Sequence, residues 1–181
     1  MQFGTHFRSG QSKGFLILFL IVSLHSSGVL AASGKPEDDK KLEVTVHYLS
    51  ATCGSITESQ WIADQQQYEL TLAALHKGTI SDSTAKFPVV DFDRYGVLLI
   101  SMGQQRTGGY SVKLASNEMN IVDGRGKVRV QWNTKKPGMI TIQMLTNPCL
   151  LLKVPKGDYS AIDVLDQLDN IRTSVAVTSP R

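Results

Sequence analysis

The sequence has few of the residues that most often carry catalysis. Only two cysteines occur, and two of the four histidines fall within the first 32 residues. No serine stands in the G-x-S-x-G pattern of a hydrolase nucleophile, and neither cysteine has a histidine in a recognisable local motif. Zinc would require clustered Cys and His, which the sequence also lacks. We therefore predict a protein that is not an enzyme, with no catalytic residues, no metal and no cofactor.

An excess of charge of one sign is missing as well. The formal net charge is +3, and the first 32 residues contribute Arg8 and Lys13 with no acid. The net charge of the remaining residues is therefore close to zero. Because nucleic-acid binding needs Lys and Arg clustered on one face, the composition predicts no nucleic-acid partner.

The longest apolar run, Phe15–Leu24, lies in the N-terminal segment. It is short against the roughly 20 residues that a membrane-spanning helix needs. Basic residues precede it, and Val29-Leu30-Ala31 offers a small-residue cleavage site. We predict a secretory signal peptide over residues 1–32, export to the periplasm or the extracellular space, and no stable membrane insertion after cleavage. An uncleaved membrane anchor is the alternative.

Export makes a disulfide permissible, and Cys53 and Cys149 are the two cysteines that could form it. If they are bridged, they close a loop of 96 residues. Such a loop is worth on the order of 4–5 kcal/mol in the chain-entropy model. Two buried free thiols are the alternative, because cysteine packs as a small hydrophobe.

The remaining chain divides into three parts. Polar, charged residues over 33–41 predict a flexible linker, and the polar segment 170–181 predicts a frayed tail. Between them, residues 42–169 form one β-rich domain. Its first strand is expected at Leu42–Leu49, where apolar and polar residues alternate and His47 falls on the solvated face.

One helix is expected within this domain. Thr57 and Gln60 resemble a capping box, with Thr57 as the N-cap. Apolar residues at roughly helical spacing continue to Lys77, and Gly78 then ends the pattern. The helix is therefore predicted to be amphipathic and to pack on a sheet.

The best-defined stretch, Tyr95–Leu114, is predicted to be a hairpin. The apolar run Val97–Ile100 indicates a strand covered on both faces, and the second arm alternates. Glycines between the arms tolerate the positive φ that tight turns need. A further strand is expected at Met139–Leu145, after the basic turn Lys135–Gly138. About seven or eight short strands predict a mainly β fold, an antiparallel β-sandwich or strongly bent sheet with one packed amphipathic helix.

Several segments resemble the C-terminal domain of the PrcB family, named for a subunit of a protease complex. They are Val97–Ile100 with Gly103, Thr107-Gly108-Gly109-Tyr110-Ser111-Val112, Pro137-Gly138, the run from Gln143 to Cys149, and Leu152–Pro155. The resemblance spans roughly residues 88–156. It implies a non-enzymatic accessory or stabilising subunit of an extracytoplasmic protease complex, acting by protein–protein contact. The resemblance also implies a lipid anchor on an N-terminal cysteine, but no cysteine stands near the predicted cleavage site here.

The turn of the predicted Tyr95–Leu114 hairpin supplies the candidate partner contacts. They are Arg106, Thr107, Gly108, Gly109 and Tyr110. An alternative is a chagasin-like protease inhibitor, because such inhibitors present a similar glycine-containing loop between strands. Gln104-Gln105-Arg106 stands where the inhibitors have a proline-rich approach. A sandwich that binds a small ligand is a third alternative.

Overall fold

The computed structural model describes residues 40–76 and 88–178. Within these ranges the chain forms nine strands and one helix. Their bounds are β1 Lys40–Glu43, β2 Thr45–Ser50, β3 Gln60–Ile62, α1 Gln65–His76, β4 Tyr95–Ser101, β5 Ser111–Val122, β6 Arg125–Asn133, β7 Cys149–Pro155, β8 Ala161–Leu165 and β9 Ile171–Ala176. The predicted signal peptide lies outside the described residues.

The strands form two sheets. Sheet one has the order β1-β5-β6-β8-β9, and sheet two has the order β2-β7-β4-β3. All neighbouring strands are antiparallel except β6 and β8, which run parallel. The main core contains apolar side chains from both sheets. The predicted mainly β fold, an antiparallel-rich sandwich with one helix, is confirmed.

The two central strands of sheet two, β4 and β7, are buried on both faces. From β4, Leu98 and Ile100 join the core between the sheets, whereas Val97 and Leu99 join a second core that contains Tyr68 and Leu75 of α1. Successive side chains of a strand point to opposite faces. When both faces are covered, the side chains at odd and at even positions must therefore all be apolar. This arrangement confirms the interpretation of the Val97–Ile100 run.

The helix begins later than the sequence predicts. Thr57 is not its N-cap, because Gln60–Ile62 forms β3 and pairs with β4. The side chain of Asp64 caps the helix instead, accepting a hydrogen bond from the Gln67 amide at 2.8 Å. Pairing with an apolar central strand overrides the helical spacing of this short segment.

Three other boundaries differ from the prediction. The single strand predicted at Leu42–Leu49 is interrupted at buried Val44, where the chain passes from sheet one to sheet two. The predicted linker contributes its last two residues to β1. The predicted frayed tail contains β9, which pairs with β8 and buries Val175 in the main core. A polar composition conceals this strand because one face of β9 is exposed.

The turn between β8 and β9 is held by one buried carboxylate. Asp166 accepts hydrogen bonds from the amides of Leu168 and Asn170, at 2.8 and 3.0 Å, and from Arg172 Nε at 2.8 Å. Burial alone would raise the pKa of Asp166, but these bonds lower it to about 2. The carboxylate therefore stays charged inside the fold and fixes the course of the chain into β9.

Candidate functional site

The Tyr95–Leu114 stretch is not a hairpin. Its first strand, β4, belongs to sheet two and its second, β5, belongs to sheet one. β4 already has β7 and β3 as its two neighbours, so no edge remains for β5. The intervening residues 102–110 therefore cross from one sheet to the other, and we call them the crossover loop.

A second inter-sheet connection runs beside the first. Residues 134–148 join β6 of sheet one to β7 of sheet two. The two connections share one end of the fold, because Ser101 pairs with Cys149 and Ser111 pairs with Asn133. Residues 139–145 within this connection form what we call the apolar arm.

Backbone hydrogen bonds join the crossover loop to the connection that contains the apolar arm. Gln105 and Thr146 exchange two of them, at 2.7 and 2.9 Å, in an antiparallel bridge. The amide of Gly108 donates to the carbonyl of Ile142 at 3.0 Å. The hydroxyl of Thr146 also donates to the carbonyl of Thr107 at 3.1 Å. The two connections therefore form one paired structure.

The apolar arm is exposed, although it contains no charged side chain. Five of its seven side chains are large and apolar, with exposed fractions from 46 to 99%: Met139, Ile140, Ile142, Met144 and Leu145. No residue of the arm forms a helix, turn or bend, and none belongs to a named strand. The strand predicted at Met139–Leu145 is thus wrong: the segment is extended but lacks a full ladder partner.

The five predicted contact residues lie together in the crossover loop. Arg106 is exposed, Thr107 and Tyr110 are half-buried, and Gly108 is buried. Gly109 has a φ of +94°, and a Cβ there would lie 3.1 Å from Thr141 Cγ2 of the arm. These residues shape and support the surface formed by the loop and the arm.

The chain segments that form this surface carry cations and no acids. The sequence contains no Asp or Glu from residue 94 to 117 or from 124 to 157. The crossover loop contributes the exposed cation Arg106, and Lys135 and Lys136 precede the arm. An exposed apolar segment with cations around it favours a partner with apolar and acidic groups.

The C-terminal end of the second connection is firmly anchored. Buried Asn147 donates from its side chain to the carbonyl of Ile56, and its Oδ1 accepts from the hydroxyl of Ser101 at 3.0 Å. Two residues later, Cys149 lies at disulfide distance from Cys53, with the two Cα atoms 5.8 Å apart. This anchoring fixes where the arm rejoins sheet two.

The histidine in β2 is not solvated as predicted. His47 is half-buried, and its Nε2 shares a hydrogen bond with the hydroxyl of Tyr68 on α1. Burial, and next the charge of Lys153, lower the pKa of His47. Burial raises the pKa of Tyr68 to about 12. The pair therefore joins β2 to α1 as neutral groups near pH 7.

A cavity of about 400 Å³ lies at the start of the crossover loop. Residues on its wall include Glu58, Ser59, Met102, Trp132 and Arg172. The guanidinium of Arg172 is paired with Asp166 at 2.6 Å, so its charge is already compensated. The small-ligand alternative stays a prediction. Among the described residues, no group of three or more His, Cys, Asp or Glu is placed to hold a metal ion.

Comparison with known protein families identifies one segment of the chain. Residues 97–155 match the family model of the PrcB C-terminal domain. The PrcB match confirms the predicted resemblance, and it includes both the crossover loop and the apolar arm. It associates the chain with subunits of protease complexes. Searches of curated proteins and of solved structures gave no match.

No helix among the described residues is long and apolar enough to cross a membrane. A cysteine pair at disulfide distance is compatible with an exported protein.

Sequence reasoning found the crossover loop but missed the apolar arm. The alternation at Met139–Leu145 predicts a strand and does not show whether a neighbour covers it. A signal was nevertheless present. Ile140 to Leu145 contains no charged residue on the face that a half-buried strand would expose to water.

Proposed function

We propose that this protein is an exported, non-enzymatic accessory or stabilising subunit of an extracytoplasmic protease complex. It acts by protein–protein contact through the crossover loop and the apolar arm. The observation that carries the proposal is an exposed, uncharged apolar segment, hydrogen-bonded to the crossover loop, inside the stretch that matches the PrcB C-terminal domain.

The exposure of the arm supports a binding role. Soluble domains seldom leave several large apolar side chains together in water, and such patches mark interaction sites. Ile140 is 99% exposed, and its neighbours along the arm are also exposed. The hydrogen bonds to the crossover loop and the anchoring of Asn147 reduce the conformational entropy that this surface would lose on binding.

The chagasin-like alternative needs a loop that enters a protease cleft. Here the turn is tied back onto its neighbour, because the Gly108 amide and the Thr107 carbonyl both bond to residues 142–146. Arg106 is exposed at the tip of this turn and does not take part in those bonds. We therefore favour a broad contact surface over an inserted loop.

The test is recovery of a peptidase with the mature protein from its own envelope fraction. We expect wild type to co-purify with a protease and Arg106→Ala to weaken the interaction about tenfold, as for a contact arginine at an interface. Thermal melting of this variant should be unchanged because Arg106 is exposed. Lys113→Ala is the matched control, since it removes one exposed cation from β5 outside the crossover loop.

Each outcome separates the candidate functions. Failure to recover any peptidase with the wild-type protein would count against the subunit role. Inhibition of papain-like proteases by excess protein, lost in Gly109→Val, would favour the inhibitor instead. Equal loss of binding in Arg106→Ala and Lys113→Ala would indicate a general charge effect rather than a contact in the crossover loop.

A further inference from the structure

The apolar arm has one paired edge and one unpaired edge. The Ile142 carbonyl and the backbone of Thr146 point toward the crossover loop, as their hydrogen bonds to Gly108 and Gln105 require. In an extended chain the backbone groups of alternate residues point to opposite sides. Those of Gln143 and Leu145 therefore point away from the loop, and within the described chain neither residue makes a backbone hydrogen bond.

The unpaired edge lacks the features that normally block strand pairing. Natural sheet edges carry charges, prolines or bulges that discourage a further strand. The arm, Met-Ile-Thr-Ile-Gln-Met-Leu, contains no charged residue and no proline. Its neighbours do carry charge, but Lys135 and Lys136 lie before the arm and Arg106 lies on the crossover loop.

We propose that the apolar arm is an acceptor edge for strand addition. The occupant is an extended segment of the partner that bears alternating apolar side chains and acidic residues at its ends. This inference rests on the proposed function and names how the partner is held. Main-chain hydrogen bonds from Gln143 and Leu145 would supply affinity, and the exposed side chains of the arm would supply selectivity.

Charge decides between this occupant and a second copy of the chain. Each copy would bring Arg106, Lys135 and Lys136 to a shared interface, and the acid-free segments around the arm offer no counter-charge. Like charges brought together across an interface oppose association. An acidic segment instead gains attraction from the same three cations.

The probe is a pair of capped peptides of about eight residues, a common strand length. Both alternate Val and Thr; one carries Glu at each end and the other carries Lys. We expect the mature protein to bind the Glu-ended peptide more tightly, and added salt to weaken that binding. Hydrogen exchange should show new protection of the Gln143 and Leu145 amides, while the Gly108 amide, already bonded to Ile142, changes little.

Gln143→Pro removes the amide that would donate to the added strand, and Gln143→Ala keeps it. We expect the proline variant to bind the Glu-ended peptide about tenfold more weakly, roughly the loss of one hydrogen bond, and the alanine variant to bind as wild type. Equal melting temperatures for the two variants would exclude a folding effect.

Several results would overturn strand addition. They are equal binding of the two peptides, equal binding by the two Gln143 variants, or binding without protection of the Gln143 and Leu145 amides. Protection that grows with protein concentration in the absence of peptide would assign the edge to a second copy. Co-purification of a peptidase with Gln143→Pro as efficient as with wild type would reject this inference while leaving the subunit role intact.

Discussion

Two apolar segments of the PrcB-like stretch differ in their exposure to solvent. Val97–Ile100 in β4 is fully buried, whereas residues 140–145 of the apolar arm are mostly exposed. The first segment has a paired strand on each side and a packed layer on each face. Among residues 40–76 and 88–178, the second has one partial neighbour and no covering layer. Neither segment contains a charged residue, and large apolar side chains dominate both. The exposure of the arm therefore marks a place that the described part of the chain leaves uncovered.

The largest effect is expected where the two regions meet. Cys149 begins β7 shortly after the arm, and we expect it to be bridged to Cys53. Replacing both cysteines by serine should lower the free energy of unfolding by about 4–5 kcal/mol in the chain-entropy model. Urea unfolding measures the loss. Thiol counting after denaturation without reductant checks the premise, and two free thiols would contradict the bridge.

The direct comparison uses one truncation in each region. Leu99→Ala should cost about 2–5 kcal/mol, because it leaves a cavity in a packed layer. Ile142→Ala should change stability by less than about 1 kcal/mol, because most of that side chain is already in water. Urea unfolding of both variants measures the difference. Similar losses would mean that the arm is covered by the fold in solution.

A smaller effect is expected at Gly109, the crossover-loop glycine that lies against Thr141 of the arm. Gly109→Val should destabilise the protein by more than about 1 kcal/mol, because φ is +94° and the new side chain meets Thr141. Gly138→Val is the matched control: φ is +77°, but a Cβ there meets nothing within 4 Å. Thermal melting should show a greater loss for Gly109→Val than for the control. Equal losses would mean that backbone strain alone acts.

Acid should weaken the turn between β8 and β9 rather than the arm. The pKa of Asp166 is about 2 in the fold, below its ordinary value of 3.8, so its stabilising contribution is present above pH 4 and is lost as pH falls toward 2. Urea unfolding between pH 5 and pH 2 measures this loss, because this range runs from above the ordinary carboxyl pKa to about the pKa in the fold.

Asp166→Asn should flatten this pH dependence in part. Asp163 should still contribute to the pH dependence of stability in this variant, because hydrogen bonding to Arg125 also lowers the pKa of its carboxyl group. An unchanged pH profile in Asp166→Asn would contradict the assigned role of that carboxylate.

The sequence predicts the layers of this fold better than its connections. The unbroken run Val97–Ile100 indicates a strand with two covered faces, and that indication is correct. The same stretch also suggests a hairpin, because adjacent strands and glycines are the usual local signal. Which strand pairs with β4 depends on β7, some 50 residues away, and local pattern contains no information about such a competitor.

The candidate site is predictable to the same extent. The crossover loop is found through Thr107-Gly108-Gly109-Tyr110, although its side chains mostly support the surface. The arm is missed because alternation describes an extended segment whether or not a neighbour covers it. Likewise, β9 looks like a polar tail until Val175 is seen to fill the main core.

The parallel pairing of β6 and β8 has a consequence for the order of folding. After β6 the chain crosses from sheet one to sheet two, where it forms β7, and then crosses back to sheet one to form β8. All four strands of sheet two are therefore available once residue 155 has been synthesised, whereas sheet one still lacks β8 and β9. Ile162, Val164 and Val175 from these two strands contribute to the core between the sheets. A chain made from its N-terminus can thus assemble one sheet early, but the final two strands determine when the interior is sealed from water.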